Sequence, residues 1–326
     1  MANLSVVHCV IWVLSVHNSI SDLTRMTRLA ALINTASGSA PADAADQLIA
    51  AIEEAGIADT ALSPEHVFTV PDLPIEDALE QLAATDAEIV IIWSGDGTLA
   101  ACFDYEDLQG KTFLPLPGGT MNMLHRQVHN RNADDPAPHW RECLKTCLAD
   151  RHEITIPGGH IAGRGFYVAA GIGKLVNLAK SREAIRDGEL ATAVSELINS
   201  DAFDMNASFA YEIEPLASGD PPITGHAHAI GALHVDDEPG VFEFGIYEQG
   251  STLDLLDLGI KLLTGKWREA EGITVARGRV MNITPDEDDT VPFMCDGELS
   301  DPHGDVFTIA AIDHPVRVLT ARPKTD

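Results

Sequence analysis

Between Thr27 and about Asp150, short apolar runs alternate with stretches whose apolar residues recur at helical spacing. Leu29–Asn34 reads as a strand, Ala42–Ala55 as an amphipathic helix stopped by Gly56, Val67–Val70 as a short strand and Ile75–Ala84 as a helix. Apolar residues then fill Ala87–Trp93 except at Glu88, and a shorter run covers Thr112–Pro117. Both runs read as strands buried on two faces. Helical character follows each, over Thr98–Phe103 and Met121–Val128, and another helix is expected at Trp140–Ala149. Strand–helix alternation of this kind predicts a parallel sheet covered by helices on both faces.

After Asp150 the texture changes to short strand candidates separated by many turns. They are Ile154–Ile156, Gly165–Ala170, Ala207–Ile213, His226–Val235, Val241–Tyr247, Arg279–Thr284, Met294–Cys295 and Val306–Ile309. Helical insertions are expected at Gly173–Arg186, Ala191–Asn199 and Leu253–Leu263. The predicted fold class is therefore α/β: a parallel α/β domain over residues 26–150, then a mainly antiparallel β domain over residues 151–310. Residues 311–326 would return to the first domain, with Val316–Leu319 as a closing strand.

Two glycine turns carry the chemistry. Ser94-Gly95-Asp96-Gly97-Thr98 follows the first buried run, and Gly118-Gly119-Thr120-Met121-Asn122 follows the second. A strand, a tight glycine turn and a helix bring unpaired N–H groups and a positive helix end to one point, which suits phosphate. A lone Gly-Asp-Gly is commonly an ordinary turn; two such turns in successive strand–helix units favour a nucleotide site. Asp96 cannot face phosphate oxygens without a cation or a proton between them. It would engage magnesium or accept a proton from the phosphate acceptor. Asp296-Gly297-Glu298 near the C-terminus would put both carboxylates on one face of an extended segment, while Gly297 admits a ligand.

These residues resemble the diacylglycerol kinase catalytic domain family, which includes sphingosine and ceramide kinases and bacterial lipid kinases. Four blocks match in order between about Thr27 and Arg322. They are Ile33-Asn34-Thr35-Ala36-Ser37-Gly38; Ser94 to Thr98; Pro117, Gly119, Thr120, Asn122 and Arg126; and Asp296-Gly297-Glu298. The resemblance implies an ATP- and Mg2+-dependent kinase that phosphorylates a hydroxyl of diacylglycerol or a sphingoid-type lipid, with nucleotide between the domains. It implies catalytic roles for Asp96, Asp296 and Glu298. Nucleotide binding would fall to Asn34, Ser37, Gly38, Ser94, Gly95, Gly97, Thr98, Gly118, Gly119, Thr120, Asn122 and Arg126. No particular metal ligand is assigned.

Two positions depart from the family. Members commonly carry Asp where this chain has Met123, and many carry Asp-Leu-Gly where it has Ile156-Pro157-Gly158-Gly159. Both departures remove carboxylates able to organise magnesium or a proton path. An NAD kinase-like small-molecule kinase and a catalytically inactive nucleotide-binding regulator stay open beside the lipid kinase.

The chain's 21 basic and 50 acidic residues give a net charge of −29, which argues against nucleic acid as a partner. A standing electrostatic attachment to anionic lipid is disfavoured too, so a lipid substrate would be met transiently at a membrane surface through a local patch. The five cysteines, Cys9, Cys102, Cys143, Cys147 and Cys295, show neither paired zinc spacing nor a disulfide framework, and fit a reducing cytoplasm. Cys143 and Cys147 read as small packed residues one helical turn apart. Val6–Val16 is too short to span a bilayer and lacks a basic start, so no transmembrane segment is expected. Residues 1–25 read as an extension before the first strand or as an over-called start ahead of Met26, with an interfacial anchor as the alternative. A homodimer is left open.

Overall fold

A computed structural model of the chain describes residues 26–130, 138–176, 208–235, 238–248, 261, 267–286, 290–300, 304–314 and 316–322. The N-terminal extension lies outside the described residues. So do the helix expected at Ala191–Asn199, most of that at Gly173–Arg186, and all but Lys261 of that at Leu253–Leu263.

The first part of the chain runs β1 (Thr27–Asn34), α1 (Ala44–Ala55), β2 (Thr60–Ala61), β3 (Val67–Val70), α2 (Ile75–Ala83), β4 (Ile89–Ser94), α3 (Asp96–Asp104), β5 (Thr112–Pro117), α4 (Met123–His129), α5 (Trp140–Asp150) and β6 (Glu153–Ile156). There follow β7 (Gly159–Ile161), β8 (Arg164–Phe166), β9 (Ala169–Gly173), β10 (Phe209–Ile213), β11 (Ile223–Ala227), β12 (Ala229–His234) and β13 (Phe242–Tyr247). The chain ends with β14 (Ile273–Gly278), β15 (Met281–Pro285), β16 (Phe293–Cys295), β17 (Glu298–Leu299), β18 (Phe307–Ala311) and β19 (Val316–Leu319).

The first sheet has the order β2-β1-β4-β5-β19-β6, with β3 also on β1. Its pairings are parallel except β19 with β6. Alternation along the strands divides their side chains between two cores. Ala30, Leu32, Val90 and Ile92 pack with α2, α3 and α4. Leu29, Ala31, Ile33, Ile89, Ile91 and Trp93 pack with α1 and α5. All six residues of β4 are buried, which is why its sequence is a continuous apolar run. Val316–Leu319 forms β19, which adds in parallel beside β5.

The second part forms two antiparallel sheets, β11-β10-β15-β18-β7-β8 and β14-β13-β12-β9-β16-β17. Their inner faces share one core that includes Ile161, Ile172, Phe209, Ile230, Phe244, Ile283, Phe293 and Ile309. The expected architecture, a parallel α/β unit followed by antiparallel sheets, is the one observed.

Local boundaries differ for identifiable reasons. Helix α4 starts at Met123 rather than Met121, because Asn122 is left-handed with φ 50°. The single strand expected at Gly165–Ala170 is broken between β8 and β9, where the Tyr167 and Val168 N–H groups leave the ladders for the Asp296 carboxylate. The strand expected at His226–Val235 is likewise two, since β11 pairs with β10 in one sheet and β12 with β9 and β13 in the other. Strands β7, β11 and β14 were not foreseen as separate elements. Gly173, expected to open a helix, closes β9 with φ 69°.

Candidate active site

Strands β1, β4 and β5 end level with one another, with Ile33 opposite Trp93 and Ser94 opposite Pro117. Their following loops therefore meet at the carboxyl edge of the sheet, the place where open α/β sheets bind ligands. Trp93 Nε1 donates to the Pro117 carbonyl at 2.9 Å, and Gly118 N–H donates to the Ser94 carbonyl at 2.9 Å. A Cβ on Gly118 would lie 2.8 Å from Ser94 N and Cα, and one on Gly119 would lie 2.6 Å from Gly95 Cα. The glycines of the second turn are thus required by contact between the two turns, before any ligand is considered.

The Asn34 loop closes over the same point. Asn34 Nδ2 donates to Thr98 Oγ1 at 2.9 Å, and its Oδ1 accepts from the Ala36 N–H at 3.0 Å. The Ser37 hydroxyl lies 2.6 Å from the Asn34 carbonyl and 2.9 Å from that of Gly118. Gly38, at φ 105°, would bring a Cβ to 3.4 Å from Thr120 Oγ1. Asn122 is folded back on its own turn: its Oδ1 accepts from Gly119 N–H at 2.8 Å and its Nδ2 donates to the Gly119 carbonyl at 2.7 Å. The Gly118 and Gly119 amides are therefore engaged within the protein, whereas the first turn of α3 opens after Gly95 without a side-chain cap. Arg126 is exposed on α4, one turn beyond Asn122.

The acids sit where these loops face the second part of the chain. Asp96 is buried at the start of α3 and accepts from Leu124 N–H at 2.9 Å and Met123 N–H at 3.0 Å. It thereby caps α4 from a separate strand–helix unit. Burial raises its pKa, the two amides oppose that rise, and the Glu298 charge adds to it. Asp296 occupies a similar socket: Oδ1 accepts from Val168 and Ala169 N–H at 2.7 and 2.9 Å, and Oδ2 from Tyr167 N–H at 2.7 Å. Burial pushes its carboxyl up to about 6 against those amides, with a smaller push from Asp96.

Asp296 and Gly297 form the two-residue connection between β16 and β17, both with positive φ, as a type I′ hairpin requires. The extended geometry expected there, with both carboxylates on one face, is consequently not adopted. Asp296 turns inward onto the amides of residues 167–169, while Glu298 is exposed and lies against Gly97. The second part of the chain is anchored nearby as well. Asp104 accepts from Tyr167 Oη at 2.6 Å and from Gly165 N–H at 3.0 Å, and Tyr167 meets Phe103 edge-on at 4.9 Å. Sequence reasoning missed Asp104, although an acid at a helix C-terminus, against the helix dipole, is a signal that it has a partner elsewhere.

Magnesium fits this acid group in a restricted way. Among the described residues, Asp96, Asp296 and Glu298 do not bring three ligand atoms within 4.8 Å of one another, so they do not form an all-protein cage. Mg2+ usually keeps several waters and takes one or two carboxylates together with substrate phosphates. An exposed Glu298 beside two acids whose pKa is raised is compatible with that arrangement. Met123, at the position where an acid was expected from the resemblance, has its Cε 3.9 Å from where a Cβ on Gly297 would stand.

Fold and loops together define an α/β domain with two glycine turns and an acid group at its sheet edge. Residues 28–156 match the model of the diacylglycerol kinase catalytic domain, which bears out the resemblance over β1 to β6. Among solved structures, a diacylglycerol kinase from Bacillus anthracis str. Sterne is 16% identical, with 91% of this chain and 97% of that chain covered, at a TM-score of 0.60. A second structure from the same organism is 15% identical, covering 91% of this chain and 98% of that one, also at 0.60. At such identity the likeness is one of fold. An NAD kinase from Archaeoglobus fulgidus in complex with ATP is 10% identical over 89% of this chain and 93% of that one, at a TM-score of 0.47, and nothing below rests on it. No curated protein matches the chain. Among the described residues no helix is long and apolar enough to cross a membrane.

Proposed function

We propose that this chain is an ATP- and Mg2+-dependent lipid kinase that phosphorylates a hydroxyl of diacylglycerol or a sphingoid-type lipid. The observation that carries the reading is the meeting of four sequence-distant loops, with Glu298 seated against Gly97 at the first turn of α3. That turn offers N–H groups and a positive helix end to the nucleotide phosphates. Ser94, Gly95, Gly97 and Thr98 would line them, with Asn34, Ser37, Gly38, Gly118, Gly119, Thr120 and Asn122 holding the loops in place around them and Arg126 reaching from α4. The lipid would be met transiently at a membrane surface by a cytoplasmic protein.

Transfer requires the acceptor oxygen to bond to the γ-phosphorus as the bond to the ADP oxygen breaks, with the hydroxyl proton passing to a base. Asp296, held at about 6, is ionised at neutral pH yet basic enough to take that proton. Asp96 fixes α4 and shapes the field at the acid group, and Glu298 is the acid available to a cation. Bound Mg2+, with Glu298 as its protein ligand, would neutralise charge on the phosphates. Incubation with labelled ATP, Mg2+ and a total lipid extract tests the reading: a labelled lipid is expected, and the absence of any labelled lipid overturns it.

A second reading, a nucleotide-binding regulator without transfer, is favoured by Met123, which sets a thioether over the acid turn where a carboxylate would help to organise magnesium. The two readings separate in one measurement, since the regulator binds ATP and labels nothing.

A further inference from the structure

Helices α4 and α5 each carry a pair of metal-competent side chains one turn apart: His125 and His129 on α4, Cys143 and Cys147 on α5. All four are buried. Ligand atoms of His125, His129 and Cys143 lie within 4.8 Å of one another, and no other group among the described residues does so. Cys147 Sγ is 4.0 Å from His129 Nδ1, and the two imidazole rings are 4.6 Å apart.

The rings are held in place from behind. The β5–β19 ladder ends at Phe113 and Val318, and the Pro115 carbonyl beyond it lies 3.3 Å from His125 Nδ1 and 2.9 Å from His129 Nε2. A backbone carbonyl on one ring nitrogen, leaving the other nitrogen's lone pair to point inward, is the usual support of a metal-bound histidine. His125 Nε2 is buried and makes no hydrogen bond, although the Pro138 carbonyl is near enough to favour a protonated ring. His129 Nδ1 accepts from the Ala321 N–H at 3.1 Å. Ordinary core packing accounts for the thiols and for His129, but it leaves His125 Nε2 buried with no partner at hydrogen-bonding geometry.

We propose that His125, His129 and Cys143, with Cys147 alongside, form a binding site for a borderline-soft divalent transition metal of the zinc class. The donors are nitrogen and sulfur, the set that zinc takes in closed structural sites. Metal–ligand bonds of about 2.0–2.3 Å require the present spacing to contract by roughly an ångström. His129 would exchange the Ala321 N–H for the metal. The ion would staple α4, which starts at the Asn122 turn, to α5, and its role would be structural rather than a step in phosphoryl transfer.

The test uses the full chain, stripped of metal by a chelator and titrated with Co2+. One equivalent should bind with the visible bands of a tetrahedral ion and a thiolate-to-cobalt charge-transfer band; Zn2+ should bleach both and raise the melting temperature. Cys143→Ser should remove the charge-transfer band and weaken binding at least tenfold, and His125→Gln should weaken it comparably. Failure of the wild-type chain to show a thiolate–cobalt band overturns the proposal, even if either variant fails to fold. Undiminished Co2+ binding in a folded Cys143→Ser or His125→Gln variant also overturns it, by placing the ion among the chain's other histidines.

Discussion

Glu298 covers Gly97: a Cβ built on the glycine would stand 3.1 Å from Glu298 Cγ and 3.2 Å from its Oε1. A residue near the end of the chain therefore lies on the first turn of α3, and that turn has no room for a side chain unless the glutamate moves.

Gly97→Ala should leave the fold intact. Its added methyl meets only the end of an exposed, flexible side chain, and alanine is the better helix former by about 1 kcal/mol. Melting temperature should be unchanged or slightly higher while transfer falls about tenfold or more. Gly119→Ala is expected to behave differently, because its methyl would meet backbone, with Gly95 Cα at 2.6 Å. Destabilisation of about 1–3 kcal/mol together with loss of ATP binding is expected there. Paired thermal melts and ATP titrations check both, and equal stability losses in the two variants would remove the distinction.

Asp96→Asn replaces an acceptor that serves two amides by a group that can serve one and turns an NH2 toward the other. Loss of a cap of this kind costs about 1–2 kcal/mol, and transfer should fall as the start of α4 and the acid group lose their setting. Denaturant melts and labelled-lipid assays on the same preparation should show both losses. Wild-type transfer by a variant with lowered stability would confine Asp96 to capping α4.

Asp296 predicts a pH dependence of definite sign. Its folded pKa of about 6 lies above the ordinary 3.8, so the folded chain binds this proton more tightly than the unfolded chain. The corresponding stability is complete below about pH 4 and is lost as pH rises through about 6. The buried histidines act in the opposite sense, with His129 down to about 3 and His234 down to about 4 through burial. The difference between wild type and Asp296→Asn isolates the carboxyl: the variant's stability deficit should shrink between pH 4 and pH 7. Transfer by the wild type should rise through the same range, and a profile flat across pH 6 would remove Asp296 as the base.

Asp104→Ala tests the tie between the two parts of the chain. It removes the acceptor of the Tyr167 hydroxyl and the Gly165 N–H, while Tyr167 also donates its own N–H to Asp296. A stability loss of about 1–2 kcal/mol is expected, with a fall in transfer as the Asp296 socket loosens. Stability loss with unchanged transfer would show that the tie does not reach the acid turn.

Much of the fold was legible in the sequence because the signals are local. A strand buried on both faces must be apolar at every position, as Ile89–Trp93 is, and a helix packed on one face must repeat with its own period, as Ala44–Ala55 does. Glycines mark turns through the absence of a side chain, so both turns at the sheet edge could be placed from residue identity, whereas Asp296-Gly297-Glu298 read as extended and is a tight hairpin connection. Order along the chain then gave the parallel α/β unit, the antiparallel sheets after it and the return of Val316–Leu319.

The partner of each polar group was decided by the tertiary structure. Nothing near Asp96 indicates that its carboxylate will cap α4, and nothing near Asp296 indicates the amides of residues 167–169 that draw it inward. The glycines of the second turn, read as room for a phosphate, are required first by the backbone of Ser94 and Gly95. Cys143 and Cys147, read as packing residues, came to face His125 and His129 only when α4 and α5 docked on either side of β5. A hydrogen bond, a charge contact or a ligand set depends on atoms a few ångströms apart, and those atoms come from residues far apart in sequence. Sequence pattern records which face of an element is buried; chain folding alone decides what that face meets.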